Sequence, residues 1–256
     1  MIDDKKSTHS ATGESAYYLT IAKRKWDDKT RPLLSIQCLT YNHEKYISEC
    51  IDGFLKQKTN FPVEIIVHDD ASTDGTAEIL RKYQKLYPDA IKLILQTSNQ
   101  YSAGIDPNNQ IIPMIQGRYI ARCEGDDFWT DANKLQTQVD FLENHPEYVV
   151  SCHDSSVIDE NGNLISPSSV GDHQKKDKEA EELILNKCSV QLRSMVYRNV
   201  IKQTPWEKSI VTNSDTFLIS LLGHFGKSKF HHDISPACYR HHPNCPCKVN
   251  LQKGHP

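Results

Sequence analysis

RYIARCEGDDFWTD, residues 118–131, pairs a short apolar run with three carboxylates in four positions. Tyr119, Ile120, Ala121 and Cys123 have the composition of a buried strand, so Glu124, Asp126 and Asp127 fall on the loop just past its end. Like charges that close repel unless something positive lies between them. Carboxylate oxygens on a strand-end loop are the hard ligands that Mg²⁺ or Mn²⁺ takes, and such ions keep positions open for substrate phosphates. Taken alone, an E-x-D-D turn is more often a solvated acidic loop. The surrounding chain decides against that reading. Thr130 is a candidate cap for the helix that follows, and Phe128 and Trp129 read as core or rim packing.

Working outward, strands and amphipathic helices alternate. LLSIQCL (33–39) is an apolar strand that runs into Thr40-Tyr41-Asn42-His43, and Ile47, Cys50, Ile51, Phe54 and Leu55 then recur on one helical face. VEIIVH (63–68) is continuous in β-branched residues, as a strand covered on both faces should be, and ends at Asp69-Asp70. Ser72, Thr73 and Asp74 offer caps for a helix carrying Ile79, Leu80, Tyr83 and Leu86. IKLILQ (91–96) is a third strand, followed by a polar loop. Asp106-Pro107 starts a helix that Pro113 bends and Gly117 stops. After the acidic stretch come a helix with Leu135, Val139 and Leu142 on one face and the strand YVVSCH (148–153). Asn161-Gly162 signals a hairpin.

This alternation predicts βαβ crossovers and an α/β fold with a mainly parallel, mixed sheet flanked by helices. In such sheets ligands gather beyond the carboxyl ends of the strands. Thr40-Tyr41-Asn42, Asp69-Asp70, the loop after Gln96 and Glu124 to Asp127 all follow predicted strands, so they are expected along one edge. Residues 1–31 read as a mobile or loosely docked arm in which Tyr17, Tyr18, Leu19 and Ile21 could pack. Residues 32–256 read as one domain, with a nucleotide-side part (32–153) and a smaller acceptor-side part (154–256). In the latter, VQLRSMVY (190–197) reads as a strand, and Phe217, Leu218, Leu221 and Leu222 form a helical face with Asp215 at its start. An acid in that position is usually a cap or dipole partner.

Composition narrows the partners. With 30 basic and 33 acidic residues interspersed over 256 positions, the formal charge is −3, which leaves no basic stripe for nucleic acid. No apolar run reaches bilayer-spanning length and the amino terminus has no apolar signal core, so a cytoplasmic location is expected, with peripheral membrane association left open. Of the eight cysteines, Cys38, Cys123 and Cys152 sit in apolar strand-like runs and Cys50 on an apolar helical face, and these read as free buried thiols. Cys245 and Cys247, close to His241 and His242, gather soft ligands, although the spacing matches no common zinc pattern. His43, His68 and His153 read as structural.

The order of these motifs, TYNHEKYI (40–47), DDASTDGT (69–76), the acidic stretch, NSD (213–215) and YRHH (239–242), resembles the inverting glycosyltransferase family 2 with the GT-A fold, of the bacterial cell-surface polysaccharide kind. The resemblance spans Leu33 to Cys245. It implies that Thr40, Tyr41 and Asn42 hold the donor's base, with the Tyr41 ring stacked on it, and that Asp70 accepts a hydrogen bond from the base. Glu124 and Asp126 match the ends of the family's D-x-D element, so that Asp126 or Asp127 binds a divalent cation, Mn²⁺ or Mg²⁺, while a neighbour touches ribose or sugar. Glu124 departs from the usual Asp by one methylene. Asp215 matches the general base, although Ser214 precedes it where the family often has Glu. His242 matches a residue that completes the metal shell or touches the diphosphate, and Arg240 lies beside it among the nucleotide-sugar contacts. The implied reaction moves a hexosyl or N-acetylhexosaminyl unit from a nucleoside-diphosphate sugar, most simply a uridine one, to a saccharide or lipid-linked saccharide hydroxyl. Two rival readings remain at this point: a nucleotidyltransferase, which would want a Gly-rich, basic loop where Thr40-Tyr41-Asn42-His43 stands, and a non-catalytic nucleotide-sugar-binding module.

Overall fold

The computed structural model describes residues 19–26, 30–201, 208, 211 and 213–243. Tyr17, Tyr18, Cys245 and Cys247, and with the last two the zinc reading, lie outside the described residues.

The apolar runs form strands β1 (Leu34–Thr40), β2 (Val63–Asp69), β3 (Ile91–Leu95), β4 (Tyr119–Arg122) and β5 (Tyr148–His153). Short strands follow at β6 (Ser155–Ile158), β7 (Leu164–Ser166), β8 (Val196–Arg198), β9 (Lys227–His231) and β10 (Ala237–Arg240). The helices are α1 (Ile47–Leu55), α2 (Thr76–Leu86), α3 (Asn108–Ile111), α4 (Lys134–Asn144), α5 (Ala180–Ile184) and α6 (Ser214–Gly223). Seven strands make one sheet in the order β3-β2-β1-β4-β8-β5-β9, and β10-β6-β7 make a second, three-stranded sheet. β8 alone runs antiparallel to its neighbours in the large sheet. It is shorter than the run 190–197 suggests, because Leu192–Ser194 close into a single 3₁₀ turn before it.

Side chains alternate across a strand, so β4 serves two cores. Tyr119 and Ala121 join β1, β2, α1, α2 and α4 in one apolar cluster, whereas Ile120 joins Val150, Tyr197, Leu183 of α5 and Ile219 and Leu222 of α6 in another. Helices therefore cover both faces, and β1 and β2 are buried almost throughout. The chain winds from β1 through β2 to β3 and then returns to β4 on the other side of β1, which opens a crevice beyond the carboxyl ends of β1 and β4.

One local expectation is corrected. Thr130 does not cap α4: Asn133 occupies the cap position, and the Thr130 hydroxyl donates instead to the Pro236 carbonyl at 2.7 Å. Ile21, one of the arm residues expected to pack, is buried, and its N–H donates to the Gln57 carbonyl at 2.8 Å.

Candidate active site

The four strand-end loops are stitched together side by side. Asn42, at a left-handed φ of 56°, receives its place from the second loop: its N–H donates to Ser72 Oγ at 2.8 Å, and its Oδ1 accepts from the Thr73 N–H at 2.8 Å. Asp70 is buried, and its carboxylate accepts the backbone N–H groups of Gln100 (2.7 Å) and Tyr101 (3.0 Å), which ties down the loop after β3. Tyr41 and Tyr101 stand exposed beside these anchors. Gly125 N–H donates to Leu39 O at 2.9 Å, and a Cβ on Gly125 would lie 2.6 Å from Thr40 Oγ1, so only glycine lets the acidic loop lie this close to β1.

Within the acidic loop the three carboxylates go to three different surroundings. Asp127 is buried, with Oδ2 accepting from Arg193 Nε at 2.6 Å and Oδ1 from the Arg240 backbone N–H at 2.9 Å. Burial raises its pKa to about 6, against the opposing pull of the Arg193 charge. Both oxygens are committed to protein donors, which removes Asp127 from the set of groups facing a cation. Arg240 is likewise spent inside the protein. Its guanidinium donates to Glu49 Oε2 (2.5 Å), the Asp126 carbonyl (3.2 Å) and the Asp159 carbonyl (3.3 Å), so it braces the loop rather than facing a substrate.

Asp126 faces the other way. Its Oδ2 lies 3.0 Å from His242 Nε2 and 3.7 Å from His43 Nε2, and its Oδ1 is buried with no hydrogen-bond partner among the described residues. One donor atom from each of His43, Asp126 and His242 lies within 4.8 Å of the others. Burial would raise the Asp126 pKa, but the His242 hydrogen bond and the nearby imidazoles carry it below the ordinary value. Burial also lowers the pKa of His43, which favours the neutral, ligating imidazole. His43 Nδ1 is paired with Thr40 Oγ1 at 3.1 Å, the kind of outer contact that orients a ligating ring. The orphaned Asp126 oxygen and the two imidazoles fit a divalent transition metal, and nitrogen donors of this sort suit Mn²⁺ better than Mg²⁺. Sequence reading left His43 without a role. Its position three residues after Thr40, on the same strand-end turn, was the available signal.

Glu124 points into a separate cleft of about 680 Å³ whose walls include Asp215, Arg122, Arg193, Tyr239 and His241. The residue is exposed along that cleft. Desolvation by the walls, then the charges of Asp126, Asp127 and Asp215, push its pKa up to about 7. Asp215 is exposed in the first turn of α6, but it does not cap that helix. Asn213 Oδ1 accepts the N–H groups of Asp215 (3.1 Å) and Thr216 (3.0 Å), which leaves the Asp215 carboxylate unengaged among the described residues. The acidic loop is thus a partition, with Glu124 and Asp215 on one side and Asp126 with its histidines on the other.

The tail reaches this partition through a backbone bridge. Phe128 and Cys238 exchange N–H···O contacts of 3.3 and 2.8 Å, and that register sets Arg240 and His242 against Asp127 and Asp126. Trp129 is buried, and its Nε1 donates to the Arg193 carbonyl at 2.7 Å. Arg193, which sequence reading passed over inside an apparent strand, is therefore fixed at both ends.

Among curated proteins, the putative glycosyltransferase EpsE of Bacillus subtilis is 39% identical over 132 residues, 51% of this chain and 46% of its own length. The putative teichuronic acid biosynthesis glycosyltransferase TuaG of the same organism is 34% identical over 112 residues, 44% of this chain and 42% of its own. The chain spans less than half the length of these relatives. In three dimensions it superposes on Staphylococcus aureus TarS in complex with UDP with a TM-score of 0.60 at 22% identity, covering 81% of this chain and 60% of that one. The mannosyltransferase PcManGT of Pyrobaculum calidifontis, in complex with GDP-Man and Mn²⁺, gives a TM-score of 0.56 at 17% identity over 85% of this chain and 60% of the other. These likenesses establish a GT-A-type fold. The family model "Glycosyl transferase family 2" matches residues 35–202, which takes in the first four strand ends, the acidic loop and Arg193. With more than half of its length under that match, the chain belongs to glycosyl transferase family 2.

Proposed function

We propose that this protein is a metal-assisted, inverting glycosyltransferase of the cytoplasm that moves a sugar from a uridine diphosphate sugar to a hydroxyl of a saccharide or lipid-linked saccharide in cell-surface polysaccharide synthesis. The observation that carries the reading is the partition at Glu124-Gly125-Asp126, which puts a His–Asp–His donor set and an unengaged carboxylate on the two sides of one loop.

The roles follow from position. His43, Asp126 and His242 hold the divalent ion, which when bound supplies positive charge to the departing diphosphate. Tyr41 offers an exposed ring to the base, and Asn42 holds the turn that presents it. Asp70 acts through the loop it anchors at Gln100 and Tyr101, and Thr40 through the His43 ring. Glu124 faces the transferred sugar. Asp127 and Arg240 keep the loop in place without touching substrate. Asp215 accepts the acceptor hydroxyl's proton as the new glycosidic bond forms on the face opposite the leaving group, and a positioned base of this kind accelerates such a step roughly 10²- to 10⁴-fold.

Asp215→Asn tests the assignment. The variant should bind UDP with Mn²⁺ as the parent does, read as a rise in melting temperature, while sugar transfer falls by about 10²-fold or more. Undiminished transfer removes Asp215 from the mechanism. Failure of every nucleoside diphosphate to stabilise the parent protein in the presence of Mn²⁺ removes the donor assignment altogether.

A further inference from the structure

Tyr46 touches both residues of the tail that meet Asp126. Its ring centre lies 5.2 Å from that of His242, at an interplanar angle of 42°, and the Arg240 guanidinium sits 4.7 Å from the same ring. The two tail residues reach Asp126 at different atoms: His242 Nε2 lies 3.0 Å from its Oδ2, and Arg240 Nε donates to its carbonyl at 3.2 Å. A tyrosine buried at the start of a helix is most simply a piece of core. Tyr46 is buried, yet it belongs to neither of the two apolar clusters.

The local sequence explains the placement. Tyr46 stands three residues after His43, and the N–H groups of Tyr46 and Ile47 donate to the His43 carbonyl at 2.9 and 2.8 Å. One turn therefore supplies both an imidazole of the donor set and the ring that meets the other imidazole. Three residues further on, Glu49 accepts from Arg240 at 2.5 Å, so neighbours at i, i+3 spacing grip the same guanidinium. Imidazoles bind a cation well when their rings are already turned towards it, and groups behind the ligands that fix this orientation change affinity by about 10- to 100-fold. For His43 that group is Thr40, whose Oγ1 lies 3.1 Å from Nδ1. For His242 the structure offers a ring at aromatic-pair distance, which restricts rotation of the imidazole. The Arg240 cation, drawn to the electron-rich ring, keeps that platform in place in turn.

We propose that Tyr46 is a positioning residue of the metal centre: its ring fixes the His242 imidazole for ligation and thereby sets the preference of the site for Mn²⁺ over Mg²⁺. The inference rests on the reading of His43, Asp126 and His242 as cation ligands. Mg²⁺ takes oxygen ligands and keeps several waters, so its binding leans on Asp126 and the diphosphate, whereas Mn²⁺ gains from the imidazoles. Loss of orientation at one imidazole therefore costs Mn²⁺ much and Mg²⁺ little.

The test uses the full chain with UDP present, and measures Mn²⁺ affinity by electron paramagnetic resonance of the free ion and Mg²⁺ affinity by calorimetry. Tyr46→Leu should weaken Mn²⁺ binding by about tenfold or more and Mg²⁺ binding by less than about twofold. Tyr46→Phe keeps the ring and should match the parent within about twofold for both ions. His242→Ala, alone and combined with Tyr46→Leu, completes the cycle: once His242 is gone, the leucine should cost Mn²⁺ nothing further. Melting temperatures without metal show which variants are folded, and Tyr46→Met, with the same expectations, replaces a leucine variant that is not. Unchanged Mn²⁺ affinity, equal losses for the two ions, or a loss that persists in the His242→Ala background gives Tyr46 a merely structural role and overturns the inference. A phenylalanine variant as weak as the leucine one puts the effect on the hydroxyl and overturns it too. A parent that binds no Mn²⁺ with UDP overturns the metal-centre reading itself, a failure told apart from the others because they leave parent binding intact.

Discussion

Replacing Lys134 by Met should change the pH dependence of stability in a direction the structure dictates. Lys134 is 1% exposed, and its ammonium donates to Gln138 Oε1 at 2.8 Å and lies 4.2 Å from the centre of the Trp129 ring. Burial lowers its pKa from 10.5 to about 7. Above pH 10.5 the lysine is neutral in both folded and unfolded chains. As pH falls from there, the unfolded chain takes up a proton that the folded one refuses, so stability is lost until the folded lysine also protonates near 7. At about 1.4 kcal/mol per pH unit, that interval corresponds to about 5 kcal/mol at most. Lys134→Met has no such proton to bind. It also strands Gln138 Oε1, at a cost of about 1–3 kcal/mol. The expectation is a variant less stable than the parent at pH 10 and equal to it or more stable at pH 7, measured by urea unfolding across that range. A parent-minus-variant difference that stays flat between pH 7 and 10 refutes the reasoning. The position bears on function because Gln138 Nε2 donates to the carbonyls of Ser151 (2.8 Å) and Ser194 (3.0 Å), and Trp129 holds the carbonyl of Arg193. Lys134 is thus the far end of the clamp behind the acidic loop.

Arg193→Met leaves Asp127 buried with only the Arg240 N–H, and should cost on the order of 3 kcal/mol in urea unfolding; a loss below 1 kcal/mol would mean the pair is not what holds the loop. His43→Ala removes one of the three donor atoms around Asp126 and should weaken Mn²⁺ binding by about tenfold or more, since even outer-shell changes cost that much. Titration of Mn²⁺ in the presence of UDP checks this, and an unchanged affinity returns His43 to the structural role that its sequence position alone suggests.

Much of the architecture was legible before any coordinates. A run such as VEIIVH has no polar face, so it must lie in a covered sheet, and Ile47, Cys50, Ile51, Phe54 and Leu55 share one face at helical spacing whatever lies around them. Four such strands joined by helices run parallel, so their carboxyl ends come to one edge. That is why the loops carrying Asn42, Asp70 and Glu124 lie along one edge of the sheet, as their places after apolar runs required. The α6 segment was equally readable, but its start was not: an acid in a first turn looks like a cap, and only the observed Asn213 contacts free Asp215 from that duty.

What the amino-acid order determined by itself was local and periodic: which segments are strands or helices, and which loops carry the acids. Which carboxylate faces a cation, which is neutralised and which stays open to the cleft was decided only in three dimensions. Asp127 finds Arg193 from 66 positions away and Asp126 finds His242 from 116 away. Glu124, Asp126 and Asp127 look nearly alike in sequence. Their different surroundings come from a backbone bridge at Phe128 and Cys238 and a 3₁₀ turn at Leu192–Ser194, contacts between distant segments that no local pattern encodes.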